Sequence, residues 1–522
     1  MVWWKKVLIG LVCLIGLVFV ANIGLNFWIR HRLPAVINEN NNSPYQIAYK
    51  SLDVTLLDGS ATIKGITLVP KASLAKKDVK SGIYANIVSI NVENISAWSI
   101  LFSDKIKASK IKINRPEIIL FKADEKALNN PKSIRDKVVA PFKNTISVSD
   151  IYLFNASLKI VSTKTDKASL IVHNLSMQLD GLVLDDSTLE EKIPFTYKDF
   201  KLDCDSIYYR ANEFYHITAN QIKTNKTDLK IADFNLIPEY NRPEFVRRIP
   251  KEKDIFTINA EEISINNMDW GFKNDKFYFN STNVFLDKVF ASIYRPKMPA
   301  DDLSKKPLYN KLLREMKFPM HVDTLAIRES TLEYEEEKTF EKGAGLLSFN
   351  KFNMFVTDVN SGYGQKKLPE MKINVNCKFM NVSPMKVTWK INILDKNDGF
   401  NIKGSILNFP AKQLKPFTKP YMNVAVDGML NEVYFNFTGN DKTSNGDFAI
   451  KYDDIKVTIF RKNKPQKKNK LLSAVGNLLV KNDSDEKLAE AKVELERIPE
   501  KSFYNFLWRN IGEGLKETLL KI

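Results

Sequence analysis

The stretch "AYKSLDVTLLDGSATIKGITLVP", residues 48–70, decides the fold. Small and apolar residues alternate with polar ones, break at Asp58-Gly59, and alternate again. Asp-Gly between two alternating runs is a strong hairpin signal, because both turn positions need positive φ. A two-residue turn flanked by Leu57 and Ser60 sets Leu56 opposite Ala61 and Val54 opposite Ile63. Those four share one face, and Asp53, Thr55, Thr62 and Lys64 point the other way. At Lys64-Gly65 the phase slips, and Ile66 and Leu68 carry the apolar set onward. A glycine at a phase slip reads as a β-bulge. One face of this sheet is therefore apolar and the other wet.

The same pattern continues beyond residue 45. Ile373/Val375/Cys377/Phe379, Val387/Trp389/Ile391/Ile393, Val433/Phe435/Phe437 and Ile455/Val457/Ile459 all alternate with period two. Strands every 8–12 residues would number roughly 30–40. A finer recurrence places apolar residues at offsets 0, +2, +7 and +9. It fits Ile111, Ile113, Ile118, Leu120; Ile151, Leu153, Leu158, Ile160; Ile263, Ile265, Trp270, Phe272; and Leu325, Ile327, Leu332, Tyr334. Ile222, Thr224, Leu229, Ile231 is a weaker copy. Turn-prone residues sit between the pairs: Asn114-Arg115-Pro116, Asn155-Ala156-Ser157, Asn266-Asn267, Glu329-Ser330. Each copy reads as two short strands around a tight kink or turn, in a drifting repeat of sheet.

Helical signals are few. Residues 307–316 place Leu308, Leu312, Leu313 and Met316 on one side after a proline start. Residues 241–254 read as a charged, proline-broken connector. Residues 461–470 are strongly basic, and Leu471, Leu472, Val475, Leu478 and Leu479 follow in a short amphipathic helix pattern. In the tail, Phe503, Phe506, Leu507, Ile511, Leu515, Leu519 and Ile522 share a helical stripe weakened by Gly512 and Gly514. Two readings of this end stand: a helix capping the last edge of the sheet, which is favoured, or a basic amphipathic segment lying on a membrane.

With 522 residues, 44% hydrophobic and 27% charged, the chain is a folded one. Val7 to Ile29 is an uncharged, mostly apolar run long enough to cross a bilayer. Trp3, Trp4, Lys5 and Lys6 precede it, and Trp28, Arg30, His31 and Arg32 follow, as interfacial anchors do. The run is long and no A-x-A-like cleavage site follows, so a transmembrane helix is expected rather than a cleaved signal. The expected organisation is a cytoplasmic N-terminus at 1–6, a transmembrane helix at 7–29, an exported β domain at 30–460, and a basic loop with an amphipathic tail at 461–522. Net charge is +17. For an exported chain that excess suits an anionic membrane surface, not nucleic acid. Cys13, Cys204 and Cys377 are too few for a disulfide scaffold. The latter two read as small buried strand residues.

Catalytic and metal-binding patterns are missing from the sequence. His31, His173, His216 and His321 are scattered, with no HExxH, no CxxC and no G-x-S-x-G. The acid clusters Asp185-Asp186, Asp301-Asp302 and Glu335-Glu336-Glu337 lack calcium-loop spacing and read as solvated loops or edges. No metal, no cofactor and no enzymatic activity are expected.

The layout resembles the AsmA-like family of Gram-negative envelope proteins, relatives of TamB. Three stretches carry the resemblance: 45–70 with Tyr45, Leu52, Asp58, Gly59 and Gly65; 94–121 with Trp98 and the Pro116 strand pair; and 404–460 with "VDGMLNEVYFNFTG" at 426–439, Gly446 and "YDDIKVTIF" at 452–460. The resemblance implies a mostly β fold: an inner-membrane helix, then a long curved antiparallel sheet in the periplasm whose apolar groove holds phospholipid acyl chains. Its implied role is phospholipid transport or outer-membrane lipid homeostasis. Groove-lining candidates are Val54, Leu56, Ile63, Ile111, Ile113, Leu153, Leu158, Ile263, Ile265, Ile327, Leu332, Val433 and Phe435. Membrane-surface candidates are Lys467, Lys468, Phe503, Phe506 and Leu507. The rival reading is an assembly factor for outer-membrane or other envelope proteins, acting through strand edges without lipid transport. An envelope hydrolase with a spatially assembled site is a third.

Overall fold

A single left-handed residue in mid-strand is the local device from which this fold is built. In the computed structural model, described for residues 45–55, 59–71, 81–95, 105–122, 145–184, 188, 195–274, 276–461 and 464–520, the chain is mostly β. It divides into two compact units, Met1–Ala211 with Thr218–Lys226, and Asn212–Ile217 with Thr227–Ile522. The basic loop and amphipathic tail belong to the second.

In the first unit, β1 (Tyr45–Ala48) and β2 (Ser51–Thr55) both pair with β3 (Ser60–Pro70). The ladder continues in chain order through β4 (Gly82–Glu93), β5 (Lys105–Lys122), β6 (Thr145–Ser162), β7 (Ala168–Leu184) and β8 (Asp199–Arg210). The hairpin expected at Asp58-Gly59 forms with a longer connection. Val54 pairs with Ala61 and Leu52 with Ile63, two residues from the expected register. A shift of two leaves every side chain on its own face, whereas a shift of one would invert them all. Gly59, at φ 62°, is taken up by the next connection: its carbonyl accepts the Ile95 N–H at 2.8 Å. Leu56 lies outside the described residues.

Gly65 inserts no extra residue, so the expected bulge is a kink instead. Lys64 pairs with Ser89 and Ile66 with Ile87, one unbroken register, while Gly65 sits at φ 60°. The longer strands use the same device. Arg115 (φ 46°) lies within β5 and Asn155 (φ 51°) within β6. The register that joins Asn114 to Phe154 and Glu117 to Ser157 sets these two kinks side by side. A left-handed residue turns the next peptide over, so the apolar alternation resets without ending the ladder. Pro116 is buried and Ile118 and Leu120 half-buried beyond the kink, while Arg115 and Glu117 are exposed.

The second unit contains β10 (Leu229–Pro238), β11 (Ile255–Asn266), β12 (Asp269–Lys273), β13 (Lys276–Pro296), β14 (Met320–Glu337), β15 (Gly345–Asn360), β16 (Met371–Phe379), β17 (Ser383–Ile391), β18 (Phe400–Pro410), β19 (Val424–Gly439), β20 (Thr443–Arg461), β21 (Lys464–Lys468) and β22 (Ala489–Glu496). Here Lys288 (φ 49°) and Glu329 (φ 46°) kink β13 and β14 side by side, because Asp287 pairs with Arg328 and Phe290 with Thr331. Asn267 (φ 51°) separates β11 from β12. The weaker repeat copy falls on two strands, β9 (Tyr215–Asn225) and β10, parted by residues 226–228. The sheet is antiparallel, as expected, in most of its pairs, but β5–β6 and β13–β14 are parallel. Residues 123–144 and 297–319 join these pairs, long enough for the crossover a parallel pair requires.

The connector at 241–254 contains a helix, α1 (Arg242–Arg248), against expectation. Asn241 caps it by accepting the Glu244 N–H at 3.0 Å, Pro243 fits the first turn, and Phe245 is fully buried. α2 (Tyr309–Arg314) lies where expected, with Leu308 buried but Leu312 exposed. α3 (Lys415–Met422) packs Phe417 against Leu347, Phe379 and Phe409. α4 (Lys470–Leu479) lies beside β20, and α5 (Phe503–Leu519) closes the main core.

Candidate functional site: an apolar sheet face

Side chains paired across a ladder lie on the same face. Following the register through the first unit, Leu52, Ile63, Ile90, Ile113, Leu153, Met177 and Leu202 form one transverse row. Val54, Ala61, Val92, Ile111, Ile151, Leu179 and Phe200 form the next. Beyond the kinks, Ile47, Leu68, Ala85, Ile118, Leu158, Val172 and Ile207 make a third. Val54, Ile63, Ile111, Ile113, Leu153 and Leu158 thus stand in three apolar rows, and all six are half-buried. Among the described residues of this unit, extensive packing joins neighbouring strands, and none of the six belongs to a closed core cluster, although Leu52, Val172 and Leu179 in the same rows are buried.

The second unit repeats the arrangement. Ile231, Ile263, Leu286, Ile327, Met354 and Val375 form one row, which runs on through Val387 and Gly404 to Phe435 and Phe448. Ile265, Val284, Leu325, Val356, Ile373 and Trp389 form the neighbouring one, continuing to Ile402 and Phe437. Leu332 stands in a row past the kink with Ile258, Ala291, Phe349 and Phe379. Ile263, Ile265 and Ile327 are half-buried and belong to no closed core cluster.

The far end of these rows is closed by protein. Val433 and Phe435 are 6% and 5% exposed, packed with Phe437, Phe448, Ile450, Phe503 and Phe506. They are core residues here, because α5 lies over the strands that carry them. Phe503 stacks on Trp389 with ring centroids 4.3 Å apart, and Gly514 lets α5 approach Phe448. Phe503 and Phe506 are buried and Leu507 packs against the same cluster, so none of the three forms an exposed membrane face. The helix is the cap of the sheet. Two polar members of its buried stripe escape a hydrophobicity pattern: Asn510 accepts from Ser444 Oγ at 2.8 Å, and Thr518 Oγ1 donates to the Gly514 carbonyl at 2.8 Å. Lys467 and Lys468 are exposed.

The opposite face is polar. Lys112 pairs with Glu93 at 2.7 Å, and this hydrogen bond holds the Glu93 carboxyl below its ordinary range. Lys230–Glu262 at 2.7 Å, Lys288–Glu261 at 2.8 Å and Arg328–Asp287 at 2.5 Å follow in the second unit. Glu335-Glu336-Glu337, expected in a solvated edge, is instead fully partnered. Arg242 binds Glu335, Tyr421 and Tyr334 donate to Glu336 at 2.6 and 2.9 Å, and Tyr294 donates to the buried Glu337. Carboxylates this close together at a strand end persist because hydroxyls and a guanidinium satisfy them. Asp185-Asp186 lies outside the described residues.

Cys204 and Cys377 are buried free thiols, and desolvation pushes Cys377 up to about 12. His216 contacts Glu239 at 3.1 Å, and His321 contacts Asn360 and Asp323, both at 2.6 Å. Among the described residues, no group of three or more His, Cys, Asp or Glu is placed to hold a metal. No described helix is long and apolar enough to cross a membrane, and residues 7–29, Cys13 and His31 lie outside the described set. Compared with known proteins, the chain matches no family model and no curated protein.

Alternation alone yielded Ile63 or Ile327, but not the cross-strand neighbours Ile90, Met177, Leu202, Leu286 and Met354. Each carries the same period-two signal; what joins them into rows is register.

Proposed function

We propose that this chain is a non-enzymatic, lipid-binding envelope protein. Residues 7–29 anchor it in the inner membrane of a Gram-negative cell, the remainder lies in the periplasm, and its apolar sheet face holds phospholipid acyl chains. The observation that carries the reading is that Val54, Ile63, Ile111, Ile113, Leu153, Leu158, Ile263, Ile265 and Ile327 stand in long apolar rows, half-buried and outside the closed core clusters. An extended apolar face needs a cover. An acyl chain suits it, because it demands no hydrogen bonds and tolerates any aliphatic lining. Burial contributes about 0.8 kcal/mol per CH₂, so a 16-carbon chain gains roughly 10 kcal/mol before ordering costs. The polar opposite face, laced with ion pairs, meets water.

The test is native mass spectrometry and lipid extraction of the full chain, taken from membranes in mild detergent. Phospholipid that survives washing is expected, with sharply less on Ile63→Asp and Ile327→Asp. A stable, lipid-free wild-type protein refutes the reading.

A further inference from the structure

α4 is amphipathic the wrong way round for a helix packed on a sheet. Its polar side is the docked one. Asn477 accepts the Val457 N–H at 2.8 Å and donates to the Val457 carbonyl at 2.9 Å, as a neighbouring strand would. Ser473 Oγ accepts the Ile459 N–H at 2.9 Å and donates back to the Ile459 carbonyl at 3.3 Å. Asn469 caps the helix through the Leu472 N–H, and its own N–H bonds the Ile459 carbonyl at 2.8 Å. Gly476 faces Ile459. At 100° per residue, Ser473, Gly476 and Asn477 share one side, and Leu471, Leu472, Val475, Leu478 and Leu479 occupy the other. Those five are 45 to 75% exposed, and no residue of α4 is buried.

We infer that this leucine face inserts into the interface of an anionic lipid membrane. The charges around it select that occupant. Residues 461–481 hold seven lysines and arginines and no acid; acids resume at Asp483, Asp485 and Glu486. Lys467 and Lys468 before the helix, Lys470 at its first position and Lys481 after it are exposed, where their stems can lie along the apolar surface and their ammonium groups reach lipid phosphates. A second copy of the chain would set these lysines against their own kind. A protein groove is a poorer match, because protein interfaces favour aromatic anchors and are depleted in lysine, and α4 has no aromatic residue. The hydrogen bonds to Val457 and Ile459 fix the helix to the sheet, so the contact would hold this end of the second unit against a membrane. The inference goes beyond the acyl-chain reading and stands without it.

The experiment uses the full chain in phosphatidylcholine nanodiscs, with Cys13→Ser and Leu478→Cys. The remaining native thiols are buried, so an environment-sensitive fluorophore labels position 478 alone. Vesicles of phosphatidylcholine with one-quarter phosphatidylglycerol are expected to shift the emission to the blue and raise it several-fold. Neutral vesicles should do little, and high salt or Lys468→Glu with Lys470→Glu should abolish the response. Leu471→Cys reports in the same way should the first variant not fold. No response to anionic vesicles overturns the inference, as does a shift that grows with protein concentration in their absence. An equal response to neutral vesicles overturns the role assigned to the lysines. Phospholipid retained by the same preparations reads the acyl-chain proposal separately.

Discussion

Ile327→Asp separates an open apolar face from a closed core. Ile327 sits between Leu286 and Met354 in its row and is half-buried. Full burial of an isoleucine is worth about 1.5–3 kcal/mol, so removing the half-buried side chain costs about 1 kcal/mol. On an open face the new carboxylate reaches water and adds little. Under a packed layer, the stranded charge would add several kcal/mol more. Phe437, 1% exposed in the cluster beneath α5, supplies the comparison: Phe437→Ala should cost about 3–5 kcal/mol. At about 2–4 °C per kcal/mol for a unit somewhat smaller than this one, Ile327→Asp should lower Tm by no more than about 4 °C, and Phe437→Ala by about three to five times as much. The assay is thermal unfolding of the full chain in one detergent by far-UV circular dichroism, with extracted phospholipid measured on the same samples. The expected result is a nearly native Tm with most of the lipid gone. An Ile327→Asp protein that melts as early as Phe437→Ala, or that keeps its lipid, refutes the open-face argument.

Two glycines of α5 should respond in opposite directions. A Cβ at Gly514 would meet Phe448 Cγ at 2.3 Å, so Gly514→Ala should destabilise by about 1–3 kcal/mol. Gly512 has nothing within 4 Å, so Gly512→Ala should stabilise by about 0.4–1 kcal/mol; urea midpoints of the two variants decide. Burial raises the pKa of Tyr294, Tyr309, Tyr334, Tyr421 and Cys377. The folded chain therefore holds these protons after the unfolded chain has released them. Their contribution is complete below the unfolded values, about 8.5 for Cys and about 10 for Tyr, and is lost as pH rises through the folded ones. The urea midpoint should accordingly fall from pH 8.5 upward, and a midpoint flat to pH 11 would contradict the burial of these groups. Cys204 and Cys377 should resist a water-soluble thiol reagent in the folded protein and react once urea unfolds it; rapid labelling without urea would show that these strands open.

Local chemistry was legible in the residues themselves. Period-two alternation placed Ile63, Ile113 and Ile327 on one face of their strands. Asp58-Gly59 marked the hairpin. The spacing of paired apolar residues around Arg115, Asn155 and Glu329 located the left-handed kinks. These features depend on a few neighbouring dihedral angles, so a short window contains their cause. Tertiary structure decided the rest. Residues of separate strands join into rows only through register, and two parallel pairs depend on where long connections return the chain. Val433 and Ile327 carry the same alternating signal, yet one is sealed beneath α5 and the other is half-buried on its face. α4 and α5 are both amphipathic, yet α5 turns its apolar stripe inward while α4 docks by Ser473 and Asn477 and turns its leucines out. Periodicity tells which side of an element is apolar. What covers that side is set by residues remote in the chain, and no local pattern encodes them.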